Sequence, residues 1–176
     1  MAACGRAIGS HGPGFTLAQV AAEAGVAVGT VAGRFGSKHG LMLAMMTAAS
    51  DGVEDRMHAT AARHADPVAA VLAAVLVTAE GVDDPATTTN HLAQLGADMS
   101  DPALREGLAV LRARVTDVLR SLLAAARLPG APPPARAARI VAGLAHGTQL
   151  DWALFPAGRL RDRLRADIRT VLEGWR

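Results

Sequence analysis

The sequence predicts an all-α fold, and three observations carry that prediction. From Leu41 to Trp175 apolar residues recur at spacings of three and four, no stretch alternates polar and apolar residues as a strand would, and Asp-Pro and Pro-Gly pairs punctuate the chain at helix-length intervals.

The elements follow in order. Met1 to Ser10, interrupted by Gly5 and Gly9, precede His11-Gly12-Pro13-Gly14. That leaves at most about two helical turns, below the roughly 12–15 residues at which isolated helices become stable in water. Ala3, Ala7 and Ile8 can pack beneath the helices after Gly14. Thr16 and Gln19 spell a capping box, with Phe15 and Val20 at the spacing of a hydrophobic staple. A helix therefore starts at about Leu17, presents Leu17, Val20, Ala21 and Ala24 on one face, and stops at Gly25, which tolerates the left-handed conformation of a helix end. Val26 is expected to plug the corner. A second short helix runs from about Ala27 or Val28 to Phe35, with Val31 and Phe35 inward and Thr30 and Arg34 outward. Two short helices joined by a tight turn are the layout of a helix-turn-helix reader of DNA. Ser37 can cap the next helix, where opening amides and Lys38, the only lysine, can meet a phosphate.

A long helix is expected from about Ser37 to Ala65, carrying Met42, Met46, Ala49, Val53 and Met57, with Asp66-Pro67 closing it. A short helix follows through Val68, Val71, Leu72, Val75 and Leu76. Another opens after Asp84-Pro85, where Pro85 suits a first helical position, and carries Leu92, Leu95 and Met99. Asp101-Pro102 begins the clearest amphipathic helix, through Leu104, Leu108, Leu111, Val115, Val118 and Leu122, ending near Pro129-Gly130. Pro132-Pro133-Pro134 is a stiff connector into a helix through Ile140, Val141, Leu144, Leu150 and Leu154. The last helix aligns Leu160, Leu164, Ile168, Val171 and Trp175. Such stripes are more often core than interface. No internal repeat is present.

Composition bounds function. The chain has 176 residues, 51% of them hydrophobic, enough for one domain or two small ones. No segment approaches the roughly 18 apolar residues of a membrane span, and Met1 to Ser10 lacks a signal-peptide pattern, so a soluble cytoplasmic protein is expected. A lone cysteine, Cys4, allows no internal disulfide or zinc framework. The net charge of +2 resides in residues 1–40, where Arg6, Arg34 and Lys38 face only Glu23, the sign expected of a nucleic-acid contact. No Glu-x-x-His, His-Glu-x-x-His or Gly-rich phosphate motif occurs. The acids Asp83-Asp84 and Asp51, Glu54 and Asp55 sit beside loops or on a solvated face, and His58 and His64 share no helix face. No enzyme activity, cofactor or metal site is therefore expected.

The segment Gly14 to Met42 resembles the DNA-binding domain of the tetracycline-repressor (TetR) family of one-component regulators. The likeness runs through Phe15-Thr16, Val20-Ala21, Ala24-Gly25-Val26, Gly29-Thr30-Val31, Phe35 and Ser37-Lys38-x-x-Leu41. It implies a helix-turn-helix domain over residues 1–42 and a helical ligand-binding and dimerisation domain over residues 43–176. It further implies a homodimer, paired through its last two helices, that binds a palindromic double-stranded operator and releases it when a small-molecule effector enters the C-terminal domain. Repression is the expected mode. DNA contacts are expected from Thr16, Val28, Thr30, Arg34, Ser37 and Lys38. Effector contacts are expected from Met57, His91, Gln94, Met99, Gln149 and Trp152, each polar or adaptable on a largely apolar helix.

The chain departs from the family pattern at Ala27, Val28 and Ala32, where a capping hydroxyl, a cation or small polar residue, and a tyrosine are usual. Gly33 is a further weak helix former. A full first helix is also usual. Either the start codon lies upstream of the one assigned, the expected explanation, or the first helix is genuinely short. The alternative function is a ligand-binding or interaction protein of the same fold with weak or lost operator binding.

Overall fold

In the computed structural model, which describes residues 1–82 and 84–176, no strand forms among the described residues. Asp83 lies outside them. The helices are α1 (Ala2–His11), α2 (Leu17–Ala24), α3 (Val28–Phe35), α4 (Lys38–Ala61), α5 (Pro67–Val77), α6 (Pro85–Ser100), α7 (Pro102–Ala126), α8 (Pro134–Leu154) and α9 (Leu160–Gly174), with a 3-10 turn at Gly12–Gly14. The fold is all-α, as the periodicity predicts. No helix is long and apolar enough to cross a membrane among the described residues.

By packing, the chain divides into one unit of Met1–Asp51 with Pro85–Leu111 and another of Gly52–Asp84 with Arg112–Arg176. Residue 42 therefore lies within α4 and inside the first unit, while α4 and α7 each contribute to both.

In the first unit, Cys4, Ala7 and Ile8 of α1 join Phe15, Val20, Ala21, Val31, Leu41, Met42, Met46 and Leu104 in one core. α1 is a ten-residue helix, held by packing and by bonds to its neighbours. Arg6 pairs with the Glu23 carboxylate at 2.7 Å and also donates to the Glu23 carbonyl. The Asn90 amide donates to the Gly9 carbonyl at 2.7 Å, satisfying a group that the end of α1 leaves unpaired. α6 meets α1 with a face other than the expected one. Its buried residues are Thr88, Gln94 and Asp98, whereas Leu92 and Leu95 are half-buried and Met99 is 51% exposed. Apolar spacing misreads this helix because its inward face is polar and hydrogen-bonded, with Gln94 donating to Asp98 at 2.7 Å.

The second unit is built on α5, whose Val68, Val71, Leu72, Val75 and Leu76 are all buried. Asp66 and Pro67 open this helix: the Asp66 carboxylate accepts from the Ala69 N–H at 2.9 Å, and Pro67 takes the first helical position. α4 ends earlier, at Ala61, so the Asp-Pro pair starts the following helix instead of closing the preceding one. α8 turns Ala137, Ala138, Val141, Ala142, Ala145 and Trp152 inward, and its alanines leave room for α9, which packs against it. The stripe of α9 becomes core: Leu160, Leu164 and Ile168 are fully buried, with Leu172 completing it and Val171 and Trp175 at its half-buried edge. Thr148 donates to Asp167 at 2.8 Å across the α8–α9 contact. The outer side of α8 keeps Ile140, Leu150 and Leu154 exposed.

Candidate nucleic-acid interface

The site is set by how α2 ends. Thr16 caps α2 with its hydroxyl oxygen accepting from the Gln19 N–H at 3.2 Å, while the Gln19 side chain accepts from the Thr16 N–H at 2.8 Å. This reciprocal arrangement satisfies two groups that a helix start leaves open. Phe15 and Val20 are both buried beside it. At the other end Gly25 adopts φ 67 and ψ 33, its N–H bonds the Ala22 carbonyl at 3.1 Å, and the Val26 N–H bonds the Ala21 carbonyl at 3.0 Å. Those two bonds make a Schellman ending, which turns the chain sharply into α3. Val26 does not plug the corner; it is 44% exposed. The backbone bonds close the turn without a side-chain wedge.

α3 buries Val31 and half-buries Phe35. Val28, Gly29, Thr30, Gly33 and Arg34 are exposed. Ala27 provides no side-chain cap, so opening amides of α3 carry no side-chain acceptor and remain donors for a phosphate. The Arg34 guanidinium lies 5.4 Å from the centroid of the Phe35 ring, an arrangement that steadies a cation without a counter-ion.

The corner between α3 and α4 is a tight three-residue turn. The Ser37 N–H bonds the Phe35 carbonyl at 2.8 Å across Gly36, whose φ of 72 and ψ of -55 are those of a γ-turn. The Ser37 hydroxyl oxygen then accepts from the Gly40 N–H at 3.0 Å, the cap expected of it. Lys38, half-buried, donates to the Pro13 carbonyl at 2.5 Å and sits 4.2 Å from the centroid of the Phe15 ring. The lysine thereby fastens the start of α4 to the segment before α2. This second, internal role was not legible in the sequence, because Pro13 and Lys38 meet only in the folded chain.

Electrostatics sharpen the site. With Arg6 and Glu23 paired to each other, the excess charge of the N-terminal segment rests on Arg34 and Lys38. Nearby, His39 meets Asp101 at 3.3 Å. Hydrogen bonds from Leu104 above all, and from Ala103, hold the Asp101 carboxyl below its ordinary value.

The expected DNA contacts Thr16, Val28, Thr30, Arg34, Ser37 and Lys38 thus fall on the ends and outer side of three consecutive helices of one unit. The expected effector contacts divide. His91, Gln94 and Met99 belong to the first unit, and Met57, Gln149 and Trp152 to the second. Met57 is fully buried and Gln149 half-buried. Burial lowers the His91 pKa. The Gln94 carbonyl oxygen and the Trp152 indole nitrogen are buried without a hydrogen-bond partner among the described residues. A surface groove of about 340 Å³ in the second unit, lined by Leu123, Arg127, Leu128, Pro132 and Ala137 among others, contains none of the six. No cluster of metal-ligating side chains occurs among the described residues.

Residues 2–45 match the family described as bacterial regulatory proteins, tetR family. No curated protein matches the chain. Among solved structures, a transcriptional regulator from Rhodococcus sp. Rha1 superposes with a TM-score of 0.73 at 23% identity, covering 98% of this chain and 94% of that one. The TetR-family regulator PfmR from Thermus thermophilus does so with 0.60 at 18% identity, covering 90% and 88%. FadR of Thermus thermophilus, a TetR-family repressor solved with lauroyl-CoA, gives 0.56 at 22% identity, covering 92% and 84%. The fold of the whole chain is the one these proteins share, and its N-terminal residues 2–45 are those that match the tetR family of bacterial regulatory proteins.

Proposed function

We propose that the chain is a cytoplasmic one-component transcriptional repressor that binds a palindromic operator as a homodimer and leaves it when a small molecule binds. The observation that carries this reading is the α2–α3 corner. A capping box, a Schellman ending and a γ-turn together hold an otherwise weak α3 with Thr30 and Arg34 turned outward. In a helix-turn-helix the second helix enters the major groove while the flanking elements hold the backbone. On this reading Val28, Thr30 and Arg34 face bases, whereas Thr16, Ser37 and Lys38 face phosphates. Residues 1–42 are the DNA-binding part and residues 43–176 the ligand-binding and dimerisation part.

A homodimer sets two copies of α3 about 34 Å apart, one helical turn of DNA. The apolar residues left exposed on α8, Ile140, Leu150 and Leu154, support pairing through the last two helices. The stripe of α9 is already spent inside its own subunit, so α9 would contribute its outer side. For the effector, FadR holds lauroyl-CoA. Within the second unit, the unpartnered indole nitrogen of Trp152 supports that residue as a contact; within the first, Met99 is exposed. A second reading, ligand binding with weak or lost operator binding, draws on the missing side-chain cap at Ala27 and the methyl of Ala32 in place of a hydroxyl.

Fluorescence anisotropy with DNA from the gene's own upstream region, at several salt concentrations, decides between them. Specific, steeply salt-dependent binding is expected; weak, sequence-independent binding by a folded dimer would establish the second reading. Lys38→Ala should weaken every duplex alike and flatten the salt slope by about one unit, whereas Arg34→Ala should also relax preference at a base pair. Equal losses on all operator variants for both substitutions would refute these assignments.

A further inference from the structure

The outward side of α3 is unusual in what it offers a base pair. Val28, the first residue of the helix, is 51% exposed, and Val26, two residues before it, is 44% exposed. Gly29 and Gly33 are exposed, and a methyl group built on either would meet no other part of the protein. Thr30 and Arg34 are the only exposed residues of this helix with polar side chains. Neither valine contributes to the core of its unit, so the exposed isopropyl groups have no structural duty that the packing reveals.

The residues at the start of the second helix of a helix-turn-helix are those that reach base edges. An isopropyl group there has no hydrogen bond to give. Guanine, adenine and cytosine present polar atoms on the major-groove edge, and covering such an atom without replacing its bond to water is unfavourable. Thymine alone presents a methyl group.

We propose that the half-site of the operator carries thymine where the first turn of α3 meets it, and that Val28 recognises the thymine C5-methyl group. The inference rests on the DNA-binding reading above and adds the chemistry of the base. The bare backbone at Gly29 and Gly33 allows α3 to sit close to the base edges, which brings a short side chain such as valine within reach. Specificity of this kind depends on shape and burial, so it is little affected by salt, unlike the contribution of Lys38.

The test uses the full chain and a duplex selected by it from a randomised pool. Each thymine of the selected half-site is replaced in turn by deoxyuridine, which removes the methyl group and leaves the hydrogen-bonding pattern intact. Replacement at the position facing Val28 should weaken binding about fourfold, the equivalent of about 0.8 kcal/mol for one buried methylene-sized group. Val28→Ala should bind the thymine and deoxyuridine duplexes equally. Since Val28 is exposed, this variant should keep the wild-type melting temperature, which separates loss of reading from loss of fold. Specific binding that tolerates every deoxyuridine, or discrimination that survives in Val28→Ala, would overturn the thymine assignment while leaving DNA binding intact. Failure to select any duplex would overturn the DNA-binding reading and this inference with it.

Discussion

Gly40→Ala is expected to cost at least tenfold in DNA affinity and about 2 kcal/mol in stability, although helix propensity alone predicts a gain of about 1 kcal/mol for the same change. Gly40 lies in the first turn of α4, where its N–H bonds the Ser37 hydroxyl oxygen. A methyl group on its α-carbon would overlap the Phe35 carbonyl oxygen, well inside the 3.0 Å that real side chains respect. Phe35 ends α3, and its carbonyl is already engaged by the Ser37 N–H across the γ-turn. Relief requires backbone movement, because no flexible side chain is available to give way. Overpacking of this kind costs roughly 1–3 kcal/mol, occasionally more, so strain outweighs propensity. The displacement, on the order of 1 Å, is about twice the roughly 0.5 Å within which a recognition surface must be held. Binding should therefore suffer more than stability. Gly52→Ala supplies the control: it lies in the same helix, a methyl group there meets nothing, and the variant should be slightly more stable with unchanged affinity. Thermal melts and anisotropy on both variants check this. A Gly40→Ala protein as stable and as tight-binding as wild type would show that the corner is not rigid.

That corner also shows where sequence reading stops. The capping box at Thr16 and Gln19, the left-handed Gly25 and the cap at Ser37 depend on neighbours a few residues apart, so local chemistry predicts them and the structure has them. Gly40 reads only as a weak helix former, because its value lies in a contact with a carbonyl at the end of another helix. Lys38 is similar: its charge suggests a phosphate, while its bond to Pro13 and its place over Phe15 depend on the fold. α6 shows the same limit in the opposite sense. Leu92, Leu95 and Met99 have helical spacing, yet Thr88, Gln94 and Asp98 form its most buried positions. Spacing identifies the inward face when that face is apolar and fails when it is polar. The stripe of α9 illustrates a further ambiguity, since periodicity cannot distinguish core from interface and the packing assigns it to core. Helix type and order were legible throughout; the bearings of α6 and the close contacts at the α3–α4 corner were not.

The polar side of α6 leads to the second large effect. Asp98 is 3% exposed and accepts one hydrogen bond, from Gln94 four residues earlier. Burial raises its pKa most; the Gln94 bond opposes that, the charge of Asp101 adds to it, and Lys38 offsets part of it. Among the described residues no ion pair compensates the carboxylate. The Gln94 oxygen beside it has no donor, and an ionised carboxylate has no hydrogen to offer. A protonated Asp98 does, and so does asparagine. Because the folded-state pKa lies above the unfolded value, the protonated form is favoured by folding. That stabilising contribution is fully present below the unfolded pKa, near 3.9, and is lost as pH rises through the folded value. Once the proton is lost, the fold holds a poorly solvated charge. Asp98→Asn should stabilise it by about 1–3 kcal/mol at pH 7, the range for relieving an unsatisfied buried polar group, and the advantage should shrink as pH falls towards 4. Denaturant melts of both proteins across that interval check the sign. An unchanged or lower stability at pH 7 would mean that Asp98 has an ionic partner in solution. Since α6 packs on α1 beneath the helix-turn-helix, the variant should also bind DNA at least as well as wild type, with α1 held more firmly in place.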